Sequence, residues 1–338
     1  MRYFASPGAF DMALRTLPEA QPASIAAAAE RQAHLTKPAG SLGRLEEIAL
    51  FFAGWQGTPR PLIDHARAVI FAGNHGVTVH GVSAFPASVT AAMVDNFRNG
   101  GGAINALAQA AGMDVDIVAL DLDRPTADFT VDAAMDEADC LAALQAGAAA
   151  VDTGLHLLIV GEMGIGNSTA ASALCARSLG GSAADWVGPG TGMDQAGIDR
   201  KIAVVNRALT HHTDAAHTPF ETLRRLGGRE IAAIAGAVVQ ARHLSIPVVL
   251  DGFISCAAVA PLAASFPAIT DHLIAGHMSA EPGHRRLLER LGLPPLLSLD
   301  MRLGEGSGAA LAVGIIRGAL AAHNGMATFA EAGVAGRE

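Results

Sequence analysis

Six short apolar runs alternate with helical patterns through the middle of this chain, and this alternation is the strongest constraint on its fold. The runs are rich in Val, Ile and Leu and lie at residues 66–71, 115–120, 155–160, 246–250, 272–275 and 296–299. Each run is short and mostly apolar, which predicts a strand buried on both faces of a sheet. Helical periodicity predicts intervening helices at residues 89–97, 141–151, 169–179, 198–211, 230–243 and 285–291. The predicted fold is therefore α/β and Rossmann-like, with a mostly parallel six-stranded sheet flanked by helices.

The two ends of the chain fall outside this alternation. Residues 24–55 show a helical pattern that is broken at 37–41, and a further helix is predicted at 307–323. The apolar faces of these helices predict a small helical subdomain built from both termini. We place the large α/β domain at residues 60–305 and the small subdomain at residues 1–59 together with 306–338.

The composition indicates a folded protein with a substantial core and argues against two classes of partner. Of the 338 residues 51% are hydrophobic and 16% charged, enough apolar side chains for a substantial core. A formal net charge of -9 without a basic cluster argues against nucleic acid or an anionic membrane as a partner.

Cysteine usage and the termini predict a cytoplasmic protein. Cys140, Cys175 and Cys256 are far apart and form no Cys-x-x-Cys pair, as expected for reduced thiols. Residues 1–20 lack the pattern of an export signal, and the uncharged stretch at 253–270 is interrupted by two prolines. We therefore expect no membrane span.

Glycine-rich polar motifs follow five of the predicted strands. In an open parallel sheet the carboxyl ends of the strands share one edge, and ligands bind there. Turn geometry alone also favours Gly and Asn, which is the structural alternative for each motif. The motifs are Gly73-Asn74-His75-Gly76, residues 161–169, Asp251-Gly252-Phe253, Gly276-His277-Met278-Ser279 and residues 303–308.

Two of the glycine-rich segments are candidate phosphate sites. Residues 161–169 end a predicted strand and begin a helix, so free backbone amides at the helix N-terminus could hold a phosphate. The segment lacks the Gly-Lys-Ser/Thr ending of a P-loop and the Gly-x-Gly-x-x-Gly spacing, which disfavours an ATPase or an ordinary dinucleotide dehydrogenase. Residues 187–192 precede a helix carrying Arg200 and Lys201, and either cation could reach a phosphate, although a lone helix lysine is more often solvated.

Histidines are numerous, but their spacing does not predict a metal site. His75 with His80 and His277 with His284 lack the helical i, i+4 spacing with a nearby carboxylate that a zinc site requires. His75 and His277 are better interpreted as residues that orient loops or contact a ligand.

Glu305 is the one charged residue between Arg302 and Arg317, and it is flanked by glycines on both sides. A carboxylate in so apolar a segment is predicted to be buried, which suits a reactive group beneath a bound substrate. The alternative is a first-turn glutamate that complements a helix N-terminus.

Several long motifs of this chain resemble those of the nicotinate-nucleotide:dimethylbenzimidazole phosphoribosyltransferases of cobalamin lower-ligand synthesis, and they occur in the same order. The resemblance extends over most of the chain, although Asn74 stands where many members have aspartate. It is carried by Lys37-Pro38-Ala39-Gly40-Ser41-Leu42-Gly43-Arg44-Leu45, Gly81-Val82-Ser83-Ala84-Phe85-Pro86, and residues 161–169, 188–192, 276–281 and 299–308.

The resemblance implies a pentosyltransferase whose large domain binds a nucleotide. Its substrates would be nicotinate mononucleotide and dimethylbenzimidazole, and its products α-ribazole 5'-phosphate and nicotinate. No metal or other cofactor is implied, and the protein would be a homodimer. A non-catalytic nucleotide-binding or sensor protein of the same fold remains the alternative; a pyrophosphate-dependent phosphoribosyltransferase is disfavoured because Val249-Leu250-Asp251-Gly252 offers one acidic residue where that class has a pair.

Residue by residue, the resemblance assigns Glu305 as the catalytic base that removes the benzimidazole proton. We expect its pKa to be ordinary or low in the free enzyme and to rise when the base excludes water. Lining of the base pocket is assigned to Ser83, Pro86, Leu303 and Gly304. Phosphate and nucleotide binding is assigned to Glu162, Gly164, Ile165, Gly166, Asn167, Ser168, Gly190, Thr191, Gly192, Lys201, Asp251 and Ser279.

Overall fold

A single six-stranded sheet organises the part of the chain that the computed structural model describes, residues 4–335. The order of the strands is β2-β1-β3-β4-β5-β6, and every neighbouring pair is parallel. The predicted α/β Rossmann-like fold is confirmed. The strands are β1 Ala66–Ala72, β2 Asp114–Ala119, β3 Leu157–Met163, β4 Val248–Leu250, β5 Leu273–Met278 and β6 Pro295–Ser298.

Helices connect the strands and cover both faces of the sheet. Each of the six predicted intervening helices is present, and the pattern at residues 24–55 corresponds to two helices separated at the predicted break. The helices are α1 Pro7–Arg15, α2 Pro22–His34, α3 Arg44–Gln56, α4 Ser88–Arg98, α5 Ala103–Ala110, α6 Glu137–Ala149, α7 Asn167–Leu179, α8 Gln195–His211, α9 Pro219–Leu226, α10 Arg229–His243, α11 Phe253–Ser265, α12 Pro282–Leu291, α13 Ser307–Gly325 and α14 Phe329–Ala332.

The expectation that all six strands are buried on both faces is wrong for β2 and β6. Residues of β2 and of β6 are half-buried or exposed. Both strands lie at an edge of the sheet and have one neighbour each, so less of their surface is covered. The other four strands are almost fully buried.

Two central strands extend further than their apolar runs. β3 continues through Glu162, which pairs with Phe71 of β1, and β5 continues through His277, which pairs with Leu297 of β6. Sheet pairing has therefore overridden the polar composition at these positions. As a result, Glu162 and His277 are fixed on rigid strands, whereas the sequence placed their motifs in loops.

Two apolar cores lie on opposite faces of the sheet. The larger includes residues of α6, α7, α10 and α11, and the smaller joins α3, α5 and α13 to strand residues such as Ile159 and Val249. At the far end of α13, the Arg31 side chain of α2 donates hydrogen bonds to the backbone oxygens of His323, Asn324 and Met326.

The division into domains at residues 60–305 and 1–59 with 306–338 stays a prediction, and residues 1–3 and 336–338 lie outside the described part of the chain. Within residues 4–335, no helix is both long and apolar enough to cross a membrane.

Candidate active site

A cleft opens at the carboxyl ends of the central strands. This is the edge at which parallel α/β sheets bind ligands. Many of the residues that the sequence assigns to binding meet on its wall. They are Ser83, Glu162, Gly164, Ile165, Gly166, Asn167, Ser168, Gly190, Thr191, Lys201, Ser279, Leu303 and Gly304.

Four of the assigned residues do not contribute to the wall of this cleft: Pro86, Gly192, Asp251 and Glu305. Glu305 is adjacent in sequence to Gly304 on the wall, and Gly192 follows the wall residue Thr191. Asp251 is buried beneath the cleft. Ten further wall residues are absent from the sequence assignment, among them Arg302, Glu281 and Met193. His277 is another, and it was interpreted from the sequence as a residue that orients a loop or contacts a ligand. Arg302 and Glu281 lie inside motifs quoted for the resemblance, which is the one signal that could have identified them.

One end of the cleft is suited to an anion. Gly166, in the left-handed conformation with φ 96°, caps the start of α7, the end of a helix that favours an anion. The Asn167 and Thr169 amides donate to the carbonyl oxygens of Gly164 and Gly166, so the Ser168 amide between them is the candidate donor to a ligand. Lys201 of α8 is 1% exposed, so the alternative of a solvated lysine is wrong. Its Nζ donates to Ser168 Oγ at 2.9 Å and to the Gly188 carbonyl oxygen at 2.8 Å. Burial lowers the pKa of Lys201 to about 8, against the opposing charge of Glu281, which leaves the ammonium mostly charged at pH 7.

Gly190 brings the second glycine-rich segment to the same place. A Cβ at position 190 would stand 3.1 Å from Ser168 Oγ and 3.4 Å from Lys201 Nζ. The two segments that the sequence identified as phosphate sites therefore form one site, with a shared cation between them.

Ser279 is held on the wall by His284. Both the Ser279 amide nitrogen and its Oγ lie 2.9 Å from His284 Nδ1. Burial lowers the pKa of His284 to about 3, so the ring is neutral at pH 7. Because a backbone N–H donates to Nδ1, the ring proton is on Nε2, which faces Cys256 Sγ at 3.4 Å. His284 thus orients Ser279.

In residues 4–335 no cluster of three or more His, Cys, Asp or Glu has an arrangement that could hold a metal ion.

Glu305 sits in a strained turn. It has φ 64° between Gly304 at 85° and Gly306 at 82°, three consecutive left-handed residues. This conformation is uncommon for a residue with a side chain and is typical of functional sites. The side chain is 5% exposed, and Oε2 has no hydrogen-bond partner within the protein.

The pKa of Glu305 is raised above its ordinary value, mainly because burial disfavours the charged form. The backbone N–H groups of Ile104 and Ala103, at the start of α5, oppose this effect, and the charge of Asp251 adds to it. The expectation of an ordinary or low pKa in the free protein is therefore wrong. Desolvation already prevails without a substrate, and the amides that face the carboxylate belong to α5 rather than to the helix that follows Glu305.

Asp251 fixes the start of α13. Its Oδ2 accepts a hydrogen bond from the Gly306 amide at 3.1 Å and its Oδ1 accepts one from the Ala309 amide at 2.9 Å. The carboxylate thereby anchors the residues that directly follow Glu305.

Glu162 is a second buried carboxyl next to Glu305. Desolvation raises its pKa to about 8, and the charges of Asp251, Glu230 and Glu305 act in the same direction. The Asn167 side-chain amide donates to its Oε2 and opposes the shift. At pH 7 Glu162 is consequently a mostly neutral acid that has a proton to donate.

The fold and the cleft define an α/β protein whose cleft at the strand ends holds a buried lysine next to two buried carboxyl groups. A family model described as phosphoribosyltransferase matches residues 17–334. The chain is 74% identical over 335 residues to the nicotinate-nucleotide–dimethylbenzimidazole phosphoribosyltransferase of Novosphingobium aromaticivorans, with 99% of each chain covered.

Other relatives agree. The chain is 58% identical to the protein of the same name from Rhodobacter capsulatus, with 94% of this chain and 95% of the relative covered. The crystal structure of CobT from Thermus thermophilus matches with a TM-score of 0.87 and 42% identity, and covers 93% of this chain and 99% of that one. The chain belongs to the nicotinate-nucleotide–dimethylbenzimidazole phosphoribosyltransferase family, and the resemblance found in the sequence is confirmed.

Proposed function

We propose that this protein transfers the phosphoribosyl group of nicotinate mononucleotide to dimethylbenzimidazole, a step of cobalamin nucleotide-loop assembly. The products are α-ribazole 5'-phosphate and nicotinate. Full-length identity of 74% to a relative named for this reaction carries the proposal. The buried Glu305 carboxyl gives it a chemical basis.

The reaction exchanges one C–N bond for another at the anomeric carbon. The bond from the ribose to the pyridinium nitrogen breaks, and its electron pair leaves with nicotinate. A benzimidazole nitrogen supplies the lone pair for the new bond, and the other ring nitrogen loses its proton. Because a pyridinium is already a good leaving group, the reaction depends on a base more than on a strong acid.

Glu305 is the base in this proposal. Its raised pKa makes the carboxylate a better proton acceptor than an exposed glutamate, and its free Oε2 has no competing partner in the protein. Ser83, Leu303 and Gly304 line the cleft near it and would contact the aromatic base. Pro86 is exposed and does not line the cleft, so its assignment to the base pocket stays a prediction.

The nucleotide phosphate occupies the opposite end. The segments 164–168 and 190–192, with Lys201 and Ser279, would bind it. Glu162, mostly protonated at pH 7, would donate a hydrogen bond to the nucleotide rather than repel it. Asp251 would contribute through the position of α13.

A non-catalytic nucleotide-binding or sensor protein is not favoured, because that role would leave the strained, buried Glu305 without a purpose. The homodimer and the cytoplasmic location belong to the proposal, and light scattering during gel filtration tests the former.

Product analysis tests the function. The purified protein is incubated with nicotinate mononucleotide and a mixture of dimethylbenzimidazole, benzimidazole, adenine and a phenol, and ribotides are identified by mass. We expect α-ribazole 5'-phosphate and an equal amount of nicotinate. Nucleotide binding without any ribotide would support the sensor instead.

A further inference from the structure

A buried acid–imidazole pair lies behind the residue 164–167 turn and has no role in the function proposed above. Glu230, on α10, and His75, after β1, are both fully buried, and His75 Nε2 lies 2.5 Å from Glu230 Oε1. The remaining polar atoms, His75 Nδ1 and Glu230 Oε2, have no hydrogen-bond partner within the protein. Burial of a carboxyl group with one partner is costly, so its retention calls for an explanation.

Three glycines close around the Glu230 carboxyl. A Cβ at Gly73 would stand 2.5 Å from Glu230 Oε2, one at Gly228 2.8 Å from the same atom, and one at Gly164 3.0 Å from Oε1. Gly166 lies against His75, whose Cβ is 3.2 Å from the position of an added Cβ. A side chain at 164 or 166 would therefore press against the pair behind the turn, in addition to the Gly73 carbonyl oxygen at 164 and Thr78 at 166.

The same turn connects Glu230 to Glu162. The Cβ position of Gly164 is also 3.3 Å from Asn167 Nδ2, and Asn167 donates this amide to the Glu162 carboxyl. Residue 164 thus presents the same side to the Glu230 carboxyl and to the Asn167 amide, and the lack of a side chain there lets all three pack together.

We propose that Glu230, held by His75, is a positioning residue: it fixes the 164–167 turn and, through this turn, orients Asn167 and Glu162 toward the nucleotide. This proposal rests on the function proposed above, because the orientation of Asn167 and Glu162 matters for activity if the cleft binds the nucleotide. Three acidic groups face Glu162, namely Glu230 from α10, Asp251 after β4 and Glu305 before α13, and each raises its pKa. Removal of the charge of Glu230 should therefore make Glu162 ionise at lower pH.

The test is Glu230→Gln, which preserves the size of the side chain and a hydrogen bond to His75 but removes the charge. We expect kcat/KM for nicotinate mononucleotide to fall about 10- to 100-fold. The alkaline limb of the pH–rate profile should move to lower pH. Glu221→Gln is the matched control: it breaks the ion pairs of Glu221 with Arg224 and Arg225 on α9, away from the turn, and should leave both readouts unchanged.

Hydrogen–deuterium exchange makes the test independent of catalysis. Amides at residues 161–169 should exchange faster in Glu230→Gln than in the wild type or Glu221→Gln. If the wild-type protein forms no ribotide, the proposed function fails, and exchange still decides whether Glu230 fixes the turn.

Glu230→Asp separates position from charge. It should loosen residues 161–169 but leave the alkaline limb in place, and it replaces Glu230→Gln if that variant does not fold. Wild-type exchange at 161–169 and a wild-type pH profile in folded Glu230 variants would overturn the proposal.

Discussion

Gly304 lies so close to Glu162 that a Cβ at position 304 would stand 2.5 Å from Glu162 Oε1. The loop that carries the proposed base, Glu305, therefore passes directly over the second buried carboxyl. Glu162 and Glu305, both with raised pKa values, are therefore close together at one end of the cleft. They can be so close because residue 304 is a glycine.

Gly304→Ala should displace either Glu162 or the loop. The new Cβ would meet Glu162 Oε1, and alanine at φ 85° is strained by about 1–3 kcal/mol. We expect kcat to fall at least about 10-fold. Gly318→Ala is the control: it lies inside α13 with open space around it, so kcat should be unchanged and thermal stability equal or higher. Equal kcat in both variants would separate Gly304 from the site.

Glu162 should set an upper pH limit on nucleotide binding. Its pKa of about 8 means that the neutral form predominates at pH 7 and is lost as the pH rises through 8. Affinity for nicotinate mononucleotide should decrease over that range, because a carboxylate would face the phosphate-bearing substrate. Glutamine at position 162 cannot ionise. The affinity of Glu162→Gln for nicotinate mononucleotide, measured by calorimetry from pH 6.5 to 9, should therefore decrease less than that of the wild type. An identical decrease in both proteins would assign it to another group, such as Lys201.

Lys201→Met should weaken phosphate binding specifically. The variant preserves the length of the side chain but removes the one cation that donates to both Ser168 and the Gly188 carbonyl. At pH 7 we expect affinity for nicotinate mononucleotide to fall about 10- to 100-fold. Affinity for free nicotinate should not change. Arg290→Met, at an exposed position on α12, serves as the control. Equal weakening of nucleotide and nicotinate would contradict a phosphate role.

Asp251→Asn distinguishes an anchor of α13 from a nucleotide ligand. One of the two backbone N–H groups that donate to Asp251 would face the NH₂ group of asparagine and lose its hydrogen-bond acceptor. We expect a loss of about 1–3 kcal/mol in the free energy of unfolding, measured by urea denaturation. Since Glu305 precedes the anchored residues, kcat should fall more than nucleotide affinity. Weakened affinity with unchanged stability would favour direct binding to the nucleotide.

Much of the fold could be predicted from the sequence because apolar runs and helical periods reflect burial directly. The run at residues 66–71, for example, is β1, Ala66–Ala72. Sheet edges carry no such signal, since an edge strand can be as apolar as a central one, and the burial of β2 and β6 was therefore predicted wrongly.

Less of the candidate site could be predicted from the sequence. Glycine-rich motifs indicated the correct edge of the sheet, but Glu230 is hidden in an ordinary helical pattern, 155 residues from His75. The pKa of Glu305 also depends on burial and on the amides of Ala103 and Ile104, about two hundred residues away in sequence, which no local pattern reveals.

The most direct test of the account is turnover by Glu305→Gln. Glutamine preserves the shape of the side chain but cannot accept the benzimidazole proton, and general-base catalysis typically contributes about 10²- to 10⁴-fold. We predict that the rate of α-ribazole 5'-phosphate formation falls by a factor in that range, while the affinity for nicotinate mononucleotide stays within about threefold of the wild type. Turnover equal to that of the wild type would contradict the role of Glu305 as the base.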